Sequence, residues 1–350
     1  MTTSSGPSFA LGTFSERGRQ PFPAFVLDGK IAPIDALKPV FEQLGVALLG
    51  MSSVLELLQS WETSFGALRR AADFLQDELH RSERRRSIFV PSEQVRFHPP
   101  VDLPRQVFCA GANYRKHVVD LIVDQATGED SGLSPDERRA RATKLMDERT
   151  AHGAPFVFSK PASAITGPYD PVTLPRHAAQ PDWELELAVI IGKPGRHVSR
   201  GEALDYVAGY TIVNDITNRD LVFRKDTGAM GADWIAAKGS PSYLPMGPYL
   251  VPACFVPDPQ NLQITLRLNG QVMQDESTAD MIFGVARIIE FLSTYVQLWP
   301  GDLIATGSPA GNGTHYNRFL KPGDIMEGSV TGLGEIRNEC IGEEAGAHAS

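Results

Sequence analysis

Two hydrophobic rhythms run along this chain, and the change between them falls near residue 100. Phe22-Pro23-Ala24-Phe25-Val26-Leu27, Asp28-Gly29 and Lys30-Ile31 read as strand, tight turn and strand. Residues 53–79 switch to a helical period, with Leu55, Leu57, Leu58, Trp61, Leu68, Ala71, Phe74 and Leu75 on one face. The basic run 81–86 reads as a solvated helix end. Residues 90–104 are proline-rich and extended, and they form the junction to a larger unit. The chain thus divides into an α+β module over 1–100 and a second domain over 101–350.

The second domain opens with a short strand at 106–111 that ends in glycine. Residues 120–153 follow as a polar, charged insertion in which Ser134-Pro135-Asp136-Glu137 starts a helix by serine cap and first-turn proline. Ala140, Leu145 and Met146 give that helix only a thin apolar stripe, which suits a lid over a site or a plain surface excursion. From 155 onward short strands alternate with Gly and Pro turns. The clearest hairpin, 263–272, turns on Asn269-Gly270, and the clearest helix covers 281–298, with Ile282, Val285, Ile288, Ile289 and Leu292 aligned. Residues 303–307 form a strand, and the last ten residues read as a frayed tail.

One strand breaks the apolar pattern. In Trp183-Glu184-Leu185-Glu186-Leu187 alternate side chains share a face, so Glu184 and Glu186 project together from a run that continues Ala188-Val189-Ile190-Ile191. Two like charges in a strand buried on both faces repel and are costly to desolvate. A hard cation with oxygen ligands resolves that cost. Asp215 closes a second β-branched run, Tyr210-Thr211-Ile212-Val213-Asn214, and offers a third carboxylate.

Composition narrows the chemistry. The 350 residues are 42% hydrophobic and 21% charged, as expected of a globular protein, and the net charge of −9 removes electrostatic support for a nucleic-acid or anionic-membrane partner. An anionic substrate then needs a local positive source, a metal ion or a buried lysine. Cys109, Cys254 and Cys340 are widely spaced, which points to a reducing compartment without disulfides or zinc knuckles. The N-terminus shows no secretory pattern, and no apolar run reaches membrane-spanning length, so a cytoplasmic protein is expected. G-x-S-x-G, G-x-x-x-x-G-K-[ST] and G-x-G-x-x-G are all absent, so serine hydrolase, P-loop and dinucleotide chemistry lose their usual support.

In chain order the distinctive segments are Gly111-Ala112-Asn113-Tyr114-Arg115-Lys116-His117, Asp182-Trp183-Glu184-Leu185-Glu186, Asn214-Asp215-Ile216-Thr217-Asn218-Arg219-Asp220 and Asp233-Trp234-Ile235-Ala236-Ala237-Lys238-Gly239. Pro245-Met246-Gly247-Pro248 and Pro300-Gly301-Asp302 through Thr306-Gly307-Ser308-Pro309-Ala310-Gly311 complete the series. From about residue 100 to Glu339 this series resembles the fumarylacetoacetate hydrolase superfamily, in particular its bacterial branch of acylpyruvate hydrolases and dienoate isomerases. The resemblance implies a mostly-β α+β roll of two curved sheets behind the smaller N-terminal module, and a homodimer. It implies that Glu184, Glu186 and Asp215 hold Mg²⁺ or Mn²⁺, with Ca²⁺ also admissible, and leave positions for a chelating 2-oxo acid. His117 takes the place of the general base, oriented by Asp120 or by another carboxylate of 120–153, and Lys238 stabilises charge developing on the substrate. Tyr114, Arg219, Thr306 and Gly307 fall at substrate-binding positions. Arg219 is also expected to pair with Asp220, and Tyr114 either lines the pocket or simply packs.

Three departures stand out. Asp120 is one methylene shorter than the glutamate common there, Asn312 replaces an aliphatic residue, and Pro241 replaces an aspartate. The implied reaction is metal-dependent hydrolysis of a C–C bond in an acylpyruvate-type β-diketone acid, from aromatic-ring catabolism or from sugar-derived diketo acids. Decarboxylation, isomerisation, hydration or lyase chemistry on a related 2-oxo or 2-hydroxydienoic acid is the alternative for the same site.

Overall fold

The computed structural model describes residues 8–79, 88–124, 132–224, 226 and 230–344. The basic run 81–86 and the extreme C-terminus lie outside them. Among the described residues the architecture is α+β and mostly β, built on an eleven-stranded and a five-stranded sheet. At the centre of the larger sheet the strand Leu185–Ile191 lies antiparallel between Val207–Asn214 and Leu303–Ala305. Val107–Gly111 runs parallel to Leu303–Ala305, and Phe156–Ser159 closes that edge. All seven residues of Leu185–Ile191 and all eight of Val207–Asn214 are buried, which is why both read as continuous apolar runs rather than alternating ones.

The first hundred residues share this sheet. Phe9–Glu16 pairs with Leu244–Pro252 through Leu11 and Leu250, and it carries Phe22–Leu27, Lys30–Pro33 and Val95–His98 on its own side. The Asp28-Gly29 turn has φ values of 50° and 72°, as a two-residue hairpin requires. The helical stretch at 53–79 is two helices, Val54–Gln59 and Trp61–Leu79, because Ser60 leaves the helical region at φ −125° and ψ 41°. In the smaller sheet Gln263–Leu268 and Gln271–Ser277 form the expected Asn-Gly hairpin, followed by Ile325–Val330, Gly334–Gly342 and Val172–Leu174.

Two departures from the sequence pattern bear on the site. The helix expected over 281–298 is Val285–Tyr295. Residues 282 and 283 are held in a bend instead, because Ile282 N donates to Asn113 O at 2.7 Å and Phe283 N to Asn113 Oδ1 at 3.0 Å. The apolar stretch Ile235-Ala236-Ala237 before Lys238 has a strand-like composition, but it is part of a short helix, Trp234–Lys238, started by Asp233, whose carboxylate accepts from Ala236 N at 3.0 Å.

Candidate active site

Three neighbouring strand ends converge. Leu185–Ile191 brings Glu184 and Glu186, Val207–Asn214 brings Asp215 just past its end, and Leu303–Ala305 brings Thr306 and Gly307. One ligand oxygen from each of Glu184, Glu186 and Asp215 lies within 4.8 Å of the others, and all three residues are buried. An all-oxygen, all-carboxylate donor set fits a hard divalent cation such as Mg²⁺ or Mn²⁺.

Each carboxylate is fixed differently. Glu184 Oε1 accepts from Arg219 Nη2 at 2.7 Å and Oε2 from Lys238 Nζ at 2.6 Å. Burial pushes the Glu184 carboxyl up, but Arg219 and Lys238 outweigh it and hold the group well below the usual carboxylate range. Among the described residues Glu186 accepts only from the Gly307 N–H, at 2.7 Å, so burial and then the neighbouring Asp215 and Glu184 charges push it well above that range. Asp215 is gripped from both sides, by Lys160 Nζ at 2.6 Å on Oδ1 and by Lys238 Nζ at 2.5 Å on Oδ2. Burial pushes the Lys238 ammonium toward losing its proton, but Asp215 and Glu184 outweigh it and hold its pKa above that of an ordinary lysine.

Lys160 was not legible as a site residue. Its only sequence signal is phase: Phe156, Phe158 and Lys160 occupy alternate positions, so the lysine falls on the face that carries the rings. It is wholly buried and also donates to Tyr243 O at 2.7 Å.

The remaining expected residues divide. Arg219 does not pair with Asp220. It bridges Asp182, at 2.8 Å, and Glu184, while Asp220 accepts from the backbone N–H groups of Ala179 and Gln180. Adjacent residues at a helix start point to different sides, and Arg219 turns toward the buried carboxylates. Thr306 donates its hydroxyl to Leu187 O at 2.8 Å, and with Gly307 bound to Glu186 both donors are engaged within the protein. Tyr114 is fully buried, and burial first, then the Glu186 charge, pushes its hydroxyl well above the ordinary phenol range.

His117 and Asp120 lie on the helix Arg115–Asp124, held by the preceding loop. Asn113 clamps that loop, donating to Phe283 O and Thr306 O at 3.0 and 2.8 Å. His117 is buried, and burial lowers its imidazole to a pKa of about 4 even though Glu184 and Asp120 favour the proton. Among the described residues no hydrogen bond joins His117 to Asp120. The Asp120 carboxylate instead accepts from Arg139 Nη1 at 3.0 Å, on the insertion helix Pro135–His152. That helix starts as the sequence indicates, with a full Ser134/Glu137 capping box. It also reaches the site loop, since Arg149 donates to Ala112 O at 2.7 Å.

Gly307 permits the Glu186 contact. Its φ is +101°, and a Cβ there would come within 2.8 Å of Asn113 Cβ. Gly307→Ala is expected to destabilise the fold by about 1–3 kcal/mol and to weaken cation binding, measured by thermal denaturation and Mn²⁺ titration.

Comparisons with known proteins agree with this geometry. Residues 106–341 match the family described as Fumarylacetoacetate (FAA) hydrolase C-terminal. The chain is 33% identical over 291 residues to the mitochondrial oxaloacetate tautomerase Fahd2a of Rattus norvegicus, covering 83% of this chain and 80% of that one. Among solved structures it is similar to a probable 2-hydroxyhepta-2,4-diene-1,7-dioate isomerase from Mycobacterium abscessus, at TM-score 0.69 and 29% identity over 96% of this chain and 100% of the other. It is also similar to the maleylpyruvate hydrolase of Sphingobium sp. SYK-6, solved with manganese(II) and pyruvate, at TM-score 0.66 and 25% identity over 96% and 100% of the two chains. The site at three strand ends and the matched span agree: the chain belongs to the fumarylacetoacetate hydrolase family.

Proposed function

We propose that the protein is a divalent-cation-dependent hydrolase of acylpyruvate-type 2-oxo acids. The observation that carries this reading is the buried Glu184, Glu186 and Asp215 cluster with Lys238 against two of its carboxylates. A cation held there supplies the positive charge that draws in the 2-oxo-carboxylate end of a substrate. His117, neutral at physiological pH, takes a proton from water as the water adds to the distal carbonyl. The bond from that carbonyl carbon to the CH₂ group then breaks. Its electron pair passes to the pyruvate half as an enolate, which takes up a proton, and the acyl half leaves as a carboxylic acid. Lys238 stabilises the developing negative charge. Tyr114 and Arg219 border the substrate, while Thr306 and Gly307 contribute by holding the strand end and Glu186.

Tautomerisation or another enolate reaction of a 2-oxo acid is the second reading. Two observations favour it: Asp120 is bound to Arg139 rather than to His117, and several curated relatives are named oxaloacetate tautomerases. Both readings describe a homodimer of the reducing cytoplasm acting on a small molecule, consistent with free cysteines at 109, 254 and 340. Among the described residues no helix is long and apolar enough to cross a membrane.

The test is turnover of acetylpyruvate, fumarylpyruvate, oxaloacetate and a 2-hydroxydienoate after EDTA stripping, with and without Mg²⁺ or Mn²⁺. Metal-restored loss of diketone absorbance, with pyruvate and a free acid as products, is the expected result. Activity confined to oxaloacetate or the dienoate would replace hydrolysis by the second reading.

A further inference from the structure

The edge strand Phe156–Ser159 connects the carboxylate cluster to the surface along one face. Cys109 pairs with Phe158 and Gly111 with Phe156, so these side chains and Lys160 all project to the same side. Lys160 is at the deep end, on Asp215. Phe158 comes next, its ring centroid 5.2 Å from Lys238 Nζ. The same ring stacks on Trp234 at 4.4 Å and 10°, and Phe156 lies 5.9 Å from Trp234. Gly111 leaves the room the outer ring needs, since a Cβ there would meet Phe156 Cδ1 at 2.9 Å. At the outer end Phe156 is 48% and Ile235 66% exposed. The series therefore grades from ammonium through a half-buried ring pair to open apolar surface. It starts beside the groups that would take the charged end of a substrate.

An acylpyruvate has the matching polarity. One end is a 2-oxo-carboxylate, and the other is an acyl substituent several atoms away. We propose that Phe158, Trp234 and Phe156 form the subsite for that distal substituent, and that it selects flat aryl or comparably large apolar groups over short alkyl ones. This rests on the reading of the carboxylate cluster as a 2-oxo acid site. Phe156, on the exposed side of the stacked Phe158 and Trp234 pair, offers an aryl group ring surface as well as burial, whereas a methyl group brings no ring to pack against it.

The test separates the subsite from the reaction by using acids that cannot be hydrolysed. Calorimetric titration of the Mn²⁺-loaded protein should show 4-phenyl-2-oxobutanoate binding about tenfold tighter than 2-oxobutanoate. Phe156→Ala should bring that ratio close to one. Phe156→Tyr should keep it, and so should Tyr169→Ala, which removes an exposed ring elsewhere. Equal affinities in the wild-type protein, binding of neither acid, or a ratio unchanged in Phe156→Ala would overturn the subsite. Aryl preference without turnover of any β-diketone acid would uphold the subsite and discard the hydrolase reading. Light scattering provides the last check: a dimer that Phe156→Ala converts to monomer would show this face covered by a second copy, and would also overturn the proposal.

Discussion

Asp215→Asn is expected to abolish Mn²⁺ binding and to destabilise the fold together, a larger combined loss than any other single change at the site. Asp215 is the shared counter-ion of two buried ammonium groups, Lys160 on one oxygen and Lys238 on the other. Lys238 has a second carboxylate in Glu184, but the other partners of Lys160 are the carbonyls of Ile216 and Tyr243. Neutralising Asp215 leaves Lys160, whose pKa burial already lowers, with only those two carbonyls among the described residues. Breaking a buried pair in this way costs about 3–5 kcal/mol. At this chain length that lowers the melting temperature on the order of 5 °C. The cation site loses a ligand charge while two ammoniums remain beside it, so affinity falls through both effects.

Two further variants divide the result. Asp215→Asn with Lys160→Met should recover most of the lost melting temperature and none of the cation binding. Glu186→Gln should weaken the cation with little thermal cost, because among the described residues Glu186 has no cationic partner at hydrogen-bond distance and is already pushed toward its neutral form. Mn²⁺ titration by electron paramagnetic resonance and scanning calorimetry read the two effects separately. Wild-type Mn²⁺ affinity in Asp215→Asn would remove the cluster from consideration as the cation site.

What the sequence made legible follows from how local each signal is. Glu184 and Glu186 were visible because a carboxylate inside an apolar strand conflicts with its surroundings, and the alternation of a strand tells which face it takes. The capping box at Ser134 and the turns at Asp28-Gly29 and Asn269-Gly270 are equally local, and the structure has them where the pattern places them. Long-range pairings left no comparable trace. Arg219 turns from its neighbour Asp220 to Asp182 and Glu184, more than thirty positions away in the chain. Lys160 looks like an ordinary lysine until Asp215, Ile216 and Tyr243 are folded around it. The shortened helix at Val285 has the same origin, since the backbone of residues 282 and 283 bonds to Asn113 across the fold. Phe9–Glu16 likewise joins the larger sheet through Leu250, a partner that no rhythm within the first hundred residues announces.

His117→Gln is expected to lower turnover of a β-diketone acid by about 10²–10⁴-fold, the range for a lost general base, while Mn²⁺ affinity is retained. Burial lowers the imidazole to about 4, so it is neutral and able to accept a proton across the physiological range. The acid limb of kcat/KM should therefore lie near pH 4 rather than near 6.5, and His117→Gln should remove that limb. Stability follows the same group. Its folded pKa lies below the unfolded value, so its contribution is complete above about pH 6.5 and is lost as the pH falls through 4. His117→Gln should accordingly unfold less steeply with acid than the wild-type protein.

The orienting carboxylate is tested through Arg139. If Asp120 leaves Arg139 to orient His117 during turnover, Arg139→Ala frees it and raises kcat, and Asp120→Asn lowers kcat by about tenfold. Full activity in Asp120→Asn would assign that task to another group. Selective loss of hydrolysis in His117→Gln, with oxaloacetate tautomerisation kept, would separate water activation by His117 from enolate stabilisation by Lys238 and the carboxylate cluster.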